Sequence, residues 1–242
     1  QAASAGTATF SAGANAITLT QANDFTGAVS ATNTGANAVQ ITDANALQLG
    51  TISTANNLTA TGVGVTQDTG GLTVGGTTTI NAGAGVITLG TAGNALTGAV
   101  SLNNSGANNV SLTNNIATVL GTSSVGTGTL GVTSNGAITQ TGALTQAASA
   151  GTATFSAGAN AITLTQANDF TGAVSLNNSG ANNVAVTDAN AIVLGTSSVG
   201  TGTLTVTATG ANSITQTGAI TQAAAAGAAS FTTGGGVITL TQ

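Results

Sequence analysis

Residues 1–30 read QAASAGTATFSAGANAITLTQANDFTGAVS, and the same thirty letters return unchanged at residues 146–175. Internal repetition is the first signal to weigh, because it decides whether a chain builds a closed domain or an open array. Within the stretch, Ile17 and Leu19 are parted by one Thr, the two-residue beat that puts both apolar side chains on one face of a β-strand. The beat recurs in Val39 and Ile41, Leu47 and Leu49, Leu72 and Val74, Val100 and Leu102, Val110 and Leu112, and Leu130 and Val132. These segments lie roughly ten residues apart, separated by Gly, Asn, Asp and Ser clusters such as SAGANA, NNSGANN and TDANA, which is turn chemistry. The Ala-rich TQAAAAGAAS at residues 221–230 has helical propensity but no apolar face of 3.6-residue period, and reads as turn and strand edge.

Longer copies set the scale of the array. TGAVSLNNSGANNV at residues 97–110 recurs at 171–184, and LGTSSVGTGTL at 120–130 recurs at 194–204, both with an offset of 74. The thirty-residue copy has an offset of 145, which is 71 plus 74. Unit starts therefore fall near Gly6, Thr77 and Gly151 with a fragment from Gly227, giving one continuous array of units 6–76, 77–150, 151–226 and 227–242. A sandwich rarely repeats its sequence, and a propeller blade usually carries an aromatic signature. A solenoid whose coils stack in register accounts for both the short beat and the long copies. Dividing the first unit at Thr26 and Thr51 predicts three coils, 6–25, 26–50 and 51–76, and the second unit divides similarly at Thr97 and Thr122. The expected fold is all-β: a parallel β-helix, or β-solenoid, with coils of about 20–25 residues. About eleven such coils at ~4.8 Å each make a rod roughly 50 Å long.

Composition agrees with stacking. The 242 residues include no Lys, Arg, His, Cys, Pro, Met, Trp or Tyr, and the net charge of −5 comes from Asp24, Asp43, Asp68, Asp169 and Asp188 alone. In a stacked coil each side chain lies above its own equivalent, so a repeated Lys or Glu would form a ladder of like charges and a repeated Pro would delete a ladder hydrogen bond. Thr, Asn, Ser and Gln stack on themselves without that cost. Phe10 matches Phe155, Phe25 matches Phe170, and Phe231 matches the first pair, so the aromatics are expected in a narrow core. Without a cation the chain has nothing to neutralise phosphate, which excludes nucleic acid as a partner and disfavours anionic membranes. The absence of Cys removes disulfides and thiol chemistry.

With that pattern in place, GTLTVTATGANSITQTGAITQ at residues 202–222 and NAITLTQANDFTGAVSLNNSGANNV at 160–184 resemble the repeat regions of filamentous haemagglutinin-type exoproteins, large bacterial surface adhesins exported by two-partner secretion. The resemblance covers the whole chain through its repeat style. It implies a right-handed parallel β-helix shaft, export through a dedicated outer-membrane partner, an extracellular or cell-surface location, and a role in attachment, aggregation or biofilm matrix.

Each candidate site has a structural alternative. The five Asp residues could bind calcium between coils, but the G-G-x-G-x-D motif is missing and the position of Asp43 is taken by Asn114 in the second unit; Asp as a turn former is preferred. Alternating Thr in ITLT, TTTI and LTVTAT could order water as ice-binding solenoids do, although Thr is favoured on any exposed strand. Gly-rich VGTGTLG lacks the Lys of a phosphate loop. No His, Lys or Cys is present to activate a nucleophile, and sugar-cleaving carboxylate pairs would lack the bulky and basic residues that hold a substrate. The sequons at Asn57, Asn103, Asn109 and Asn177 are expected from composition. No catalytic, cofactor-binding or metal residue is assigned. Both ends fall in mid-array, Gln1 at the position of Gln146 and Gln242 at that of Gln21 and Gln166, so the expected partners are the array itself, end to end or within a longer chain, and cell-surface glycans. The expected function is a non-enzymatic shaft of an extracellular bacterial fibre or adhesin; the alternative is a solenoid that binds polysaccharide or ice through Thr and Asn rows.

Overall fold

A computed structural model describes every residue, Gln1–Gln242. The chain is all-β, with short strands of two to eight residues and no helix. The strands form two sheets, of 16 and 13 members, and the chain crosses from one to the other and back in each coil. Neighbouring strands pair in parallel throughout, for example Ala8–Ser11 with Val29–Thr32 and Leu204–Ala208 with Ala229–Thr233. The fold is thus a parallel β-solenoid of about eleven turns, as the two-residue beat predicts.

Stacking is residue on residue. In the larger sheet Leu47, Val65, Ile87, Val110, Leu130, Ala153 and Val174 form one inward column, and all are buried. Their outward neighbours in the same rows are Gln48, Thr66, Thr88, Ser111, Gly131, Thr154 and Ser175. The pleat sends alternate side chains to opposite faces, so apolar residues fill the interior while small neutral ones meet water. A single core of 45 buried residues runs along the rod between the sheets. Within it Phe155 meets Phe170 edge-on at 5.8 Å between ring centres, and in the first coil Phe10 meets Phe25 in the same way at 5.9 Å; such pairs add about 0.5–1.5 kcal/mol beyond their buried area.

Coil length differs from the division drawn at Thr26 and Thr51. Val29 stacks under Leu49, and Ala31 under Ile52, so the chain completes a turn between Val29 and Leu49, a shorter advance than the predicted one from Thr26 to Thr51. Elsewhere the advance runs from a short step, Leu47 to Val65, to a long one, Leu204 to Ala229. The physical reason is the loop allowance: the strands must stay in register, while the turns between them absorb added or missing residues.

A shorter coil changes how the long repeat is built. From Val29 the chain makes seven passes, alternating between sheets: Val29–Thr32, Val39–Asp43, Leu47–Thr54, Leu58–Thr61, Val65–Gln67 with Leu72–Val74, Thr78–Asn81, and Ile87–Leu89 with Ala95–Leu96. The next copy then begins at Ala99–Asn103. One unit is therefore three and a half coils, not three. Because seven is odd, Val29–Thr32 lies in the 16-stranded sheet, its equivalent Ala99–Asn103 in the 13-stranded sheet, and the third equivalent, Val174–Asn177, in the 16-stranded sheet again. Two units make fourteen passes, so the thirty-residue copies keep their sides. Ala8–Ser11 and Ala153–Ser156 share the larger sheet, and Ile17–Asn23 and Ile162–Asn168 share the smaller.

Candidate functional site

The most elaborate chemistry sits where the first strand of each unit turns. In NNSGAN the beat of Val100 and Leu102 carries Asn104 inward, where its side chain is buried. Its Nδ2 donates to the carbonyls of Gly85, at 3.1 Å in the coil before, and of Asn108, at 2.9 Å across the turn. Its Oδ1 accepts the Gly126 N–H at 2.9 Å from the coil after. One amide thus ties three successive coils. Asn178 repeats the arrangement with Asn160, Asn182 and Gly200. Asn33 makes the two donor bonds, to Asn15 and Asn37, but its buried Oδ1 has no partner. The glycine of the turn is required by close approach: a Cβ on Gly106 or Gly180 would overlap the carbonyl of Ala84 or Ala159 in the coil before.

One residue earlier in the strand, Asn103 points outward. Its Nδ2 donates to Asn81 Oδ1 at 3.1 Å and its Oδ1 accepts the Ser124 N–H at 3.2 Å. Together with Gly83, Asn104 and Ser105 these residues line a shallow hollow of about 250 Å³ that contains no apolar side chain. An equivalent hollow of about 290 Å³ is lined by Ser156, Gly158, Asn177, Asn178, Ser179 and Ser198, again with no apolar side chain. Gly83 and Gly158 sit at φ 52° and 56°, the left-handed region that glycine occupies without a Cβ penalty. The hydroxyls of Ser124 and Ser198 stand exposed at the mouths.

Further amides brace the interior. Asn94 and Gln67 exchange two side-chain hydrogen bonds, at 2.6 and 3.0 Å, and Asn168 and Gln140 exchange the same pair at 2.8 and 3.0 Å. Asn94 and Asn168 are fully buried, where each satisfied amide adds about 1 kcal/mol and each orphaned one costs about 1–3 kcal/mol.

The Asp residues are dispersed, and nowhere do three or more acidic side chains gather in a group able to hold a metal ion. Asp43 Oδ2 accepts the Phe25 N–H and its Oδ1 the Asn45 N–H; Asp188 does the same with Phe170 and Asn190. Both carboxylates are buried and act as turn formers. Asp68 caps its own turn through the Gly70 N–H, while exposed Asp24 accepts from Asn45 Nδ2. Asp169 pairs through its backbone with Leu144 and Gln146. Burial pushes the Asp188 carboxyl up to about 6, against the lowering effect of the N–H donors of Asn190 and Phe170, with the nearby Asp169 charge adding a smaller push upward.

Thr rows do not form a uniform array, since the outward column mixes Gln, Thr, Ser and Gly. The hollows and the buried amides are not evident from the turn chemistry of the Asn clusters alone. The signal was present: extending the alternation past Leu102 makes Asn103 outward and Asn104 inward.

The fold defines a β-solenoid repeat protein built of units of seven strand passes. The family model described as Repeats of unknown function (DUF5649) matches residues 1–32, 36–103, 107–177 and 181–242, and the chain belongs to that family. Three successive matches start at 36, 107 and 181, the same spacing as the long copies in the sequence, so the family's repeat has the length of the three-and-a-half-coil unit. No curated protein and no solved structure matches the chain.

Proposed function

We propose that this chain is the non-catalytic shaft of an extracellular bacterial fibre or adhesin of the filamentous haemagglutinin type, serving attachment, aggregation or matrix building. The observation that carries the reading is the unbroken stacking of both sheets over about eleven turns, around a core only as wide as one coil. The mechanism is mechanical. Pulling along the axis loads the ladders of both sheets together at every coil, and the absence of Lys and Arg leaves trypsin no site of cleavage. Electron microscopy of the purified chain tests it: filaments with an axial repeat near ~4.8 Å support the shaft, and discrete rods without end-to-end contact defeat the fibre.

A second reading, binding of polysaccharide, is favoured by the two hollows, whose lining offers amides and hydroxyls but no charge. Ice is the weaker ligand because a flat lattice match needs one residue type at one position in every coil, and the outward columns are mixed.

A further inference from the structure

The two hollows are the same six positions of successive units, with Asn81 replaced by Ser156. They do not lie on one side of the rod. Asn103 belongs to the strand Ala99–Asn103 of the 13-stranded sheet, and Asn177 to Val174–Asn177 of the 16-stranded sheet. The sheets flank a single core, so one hollow faces away from the other, offset along the axis by three and a half coils or roughly 17 Å. The odd number of passes in a unit is what turns each new copy to the opposite flank.

We propose that the shaft is a two-sided linker, holding one neutral polysaccharide strand on each flank and so cross-linking them. This rests on the polysaccharide reading of the hollows and adds to it the valence and its geometry. The ligand class follows from the lining. Asn103, Ser105 and Ser124, like Asn177, Ser179 and Ser198, offer neutral donors and acceptors that suit sugar hydroxyls, and no cation in the chain offsets the five Asp charges for an anionic ligand. Asn103 already spends its Oδ1 and one N–H within the protein, which fixes the amide plane and leaves the remaining N–H and the Ser124 hydroxyl for a ligand. Asn177 spends its Oδ1 on Ser198 and leaves its Nδ2 free. A shallow, polar site competes directly with water and binds weakly alone. Two such sites on one rigid rod gain avidity of roughly 10²–10⁴-fold when both are engaged. The first unit does not add another of this kind: there Thr32 and Thr34 stand at the positions of Asn103 and Ser105, and no hollow forms; a further polar hollow of about 350 Å³, between Thr113–Asn115 and Thr133–Asn135, shares Ser156 and Gly158 with the second and so extends that same flank.

The test uses the full chain with dextran, galactomannan and a soluble β-glucan, each offered on beads and free in solution. Ser124→Ile and Ser198→Ile each fill one mouth with an outward, β-branched side chain that breaks no internal hydrogen bond. Wild type is expected to bind and to clump the beads. Each single variant is expected to keep about half the bound ligand per chain in solution while losing bead clumping by roughly 10²-fold or more, and the double variant to lose binding. No retention of any of the three polysaccharides by the wild type overturns the polysaccharide reading, and the linker with it. Binding by the wild type with undiminished clumping by both single variants overturns the two-sided linker alone. Circular dichroism and the melting temperature of each variant, unchanged from wild type, separate loss of a site from loss of the fold.

Discussion

Residues 1–30 and 146–175 have identical letters and different surroundings. The later copy lies between two coils, and there Ala153, Phe155, Ile162, Leu164 and Asn168 are fully buried, with Phe170 at 2 %. The first copy pairs with the coil that follows it through Val29–Thr32 and Val39–Asp43; there Phe10, Leu19 and Phe25 are partly exposed, and Asn23 has no glutamine partner like the one that clasps Asn168. Yet the local geometry is the same, down to the edge-on Phe pair at 5.9 and 5.8 Å and the left-handed serines, Ser4 and Ser149, at φ 60° and 61°. Local sequence specifies the shape of a coil, and the neighbouring coil supplies much of its stability. This is the one-dimensional energetics of repeat arrays, in which each unit contributes an intrinsic term and an interface term.

The largest break of that comparison comes from truncating the same ring in the two copies. Phe155→Ala is expected to cost about 3–5 kcal/mol, with Phe10→Ala costing clearly less because its ring keeps solvent contact. Urea unfolding with hydrogen exchange resolved by coil checks this, and equal costs would defeat the interface account. Next is Asn168→Ala against Asn23→Ala. The first orphans Gln140 and the backbone groups of Leu144, Leu164 and Thr187, for a loss of about 2–3 kcal/mol. The second removes only three donor bonds to carbonyls near the surface and should lose about 1 kcal/mol.

A third comparison is by pH. The Asp188 carboxyl titrates near 6 in the folded chain against an ordinary value of 3.8, so the folded state holds this proton more tightly than the unfolded one. Its linkage therefore favours folding below about pH 4, fades as the pH rises through 6, and leaves the ionised carboxylate as a cost above that. Asp188→Asn, the residue type already present at the equivalent Asn114, keeps one acceptor of the two that Phe170 and Asn190 use; its effect on the melting temperature is expected to be clearly more favourable at pH 7.5, where it also removes the ionised carboxylate, than at pH 3.5, where only the lost acceptor counts. An effect of equal size at both values would show that ionisation is not the cause. The smallest effect concerns Thr78, which sits in an inward column between Leu58 and Val100 with a buried hydroxyl that has no partner. Thr78→Val keeps the shape, removes the orphan, and should stabilise by about 1 kcal/mol, read as a small rise in melting temperature.

The legible part of this fold is the part set by the two-residue beat. Ile17 and Leu19, or Val110 and Leu112, declare strands and faces without reference to anything distant, and the matched Phe positions announce a shared core. The coil boundary is not encoded that way. Thr26 precedes the strand Val29–Thr32 whereas Thr51 lies inside the strand Leu47–Thr54, and where a coil closes depends on which strand lies below, which is settled by register against the preceding coil. The buried amides were hidden for a related reason: Asn103 and Asn104 are one residue type in one turn cluster, and only their opposite phase on the strand separates a surface amide from one that ties three coils. The TDANA clusters mark Asp43 and Asp188 as turn formers, and their carboxylates accept backbone N–H groups as that role requires.

The odd count of passes per unit also bears on how such a gene can change length. Recombination between the 97–110 and 171–184 copies would excise seven passes and transfer every downstream surface to the other flank of the rod. Recombination between the identical tracts at 1–30 and 146–175 would excise fourteen and leave each downstream surface where it was. The longest uninterrupted match in the chain thus joins positions whose exchange preserves sidedness, and an array that grows or shrinks through it alters its reach without altering what it shows to each side.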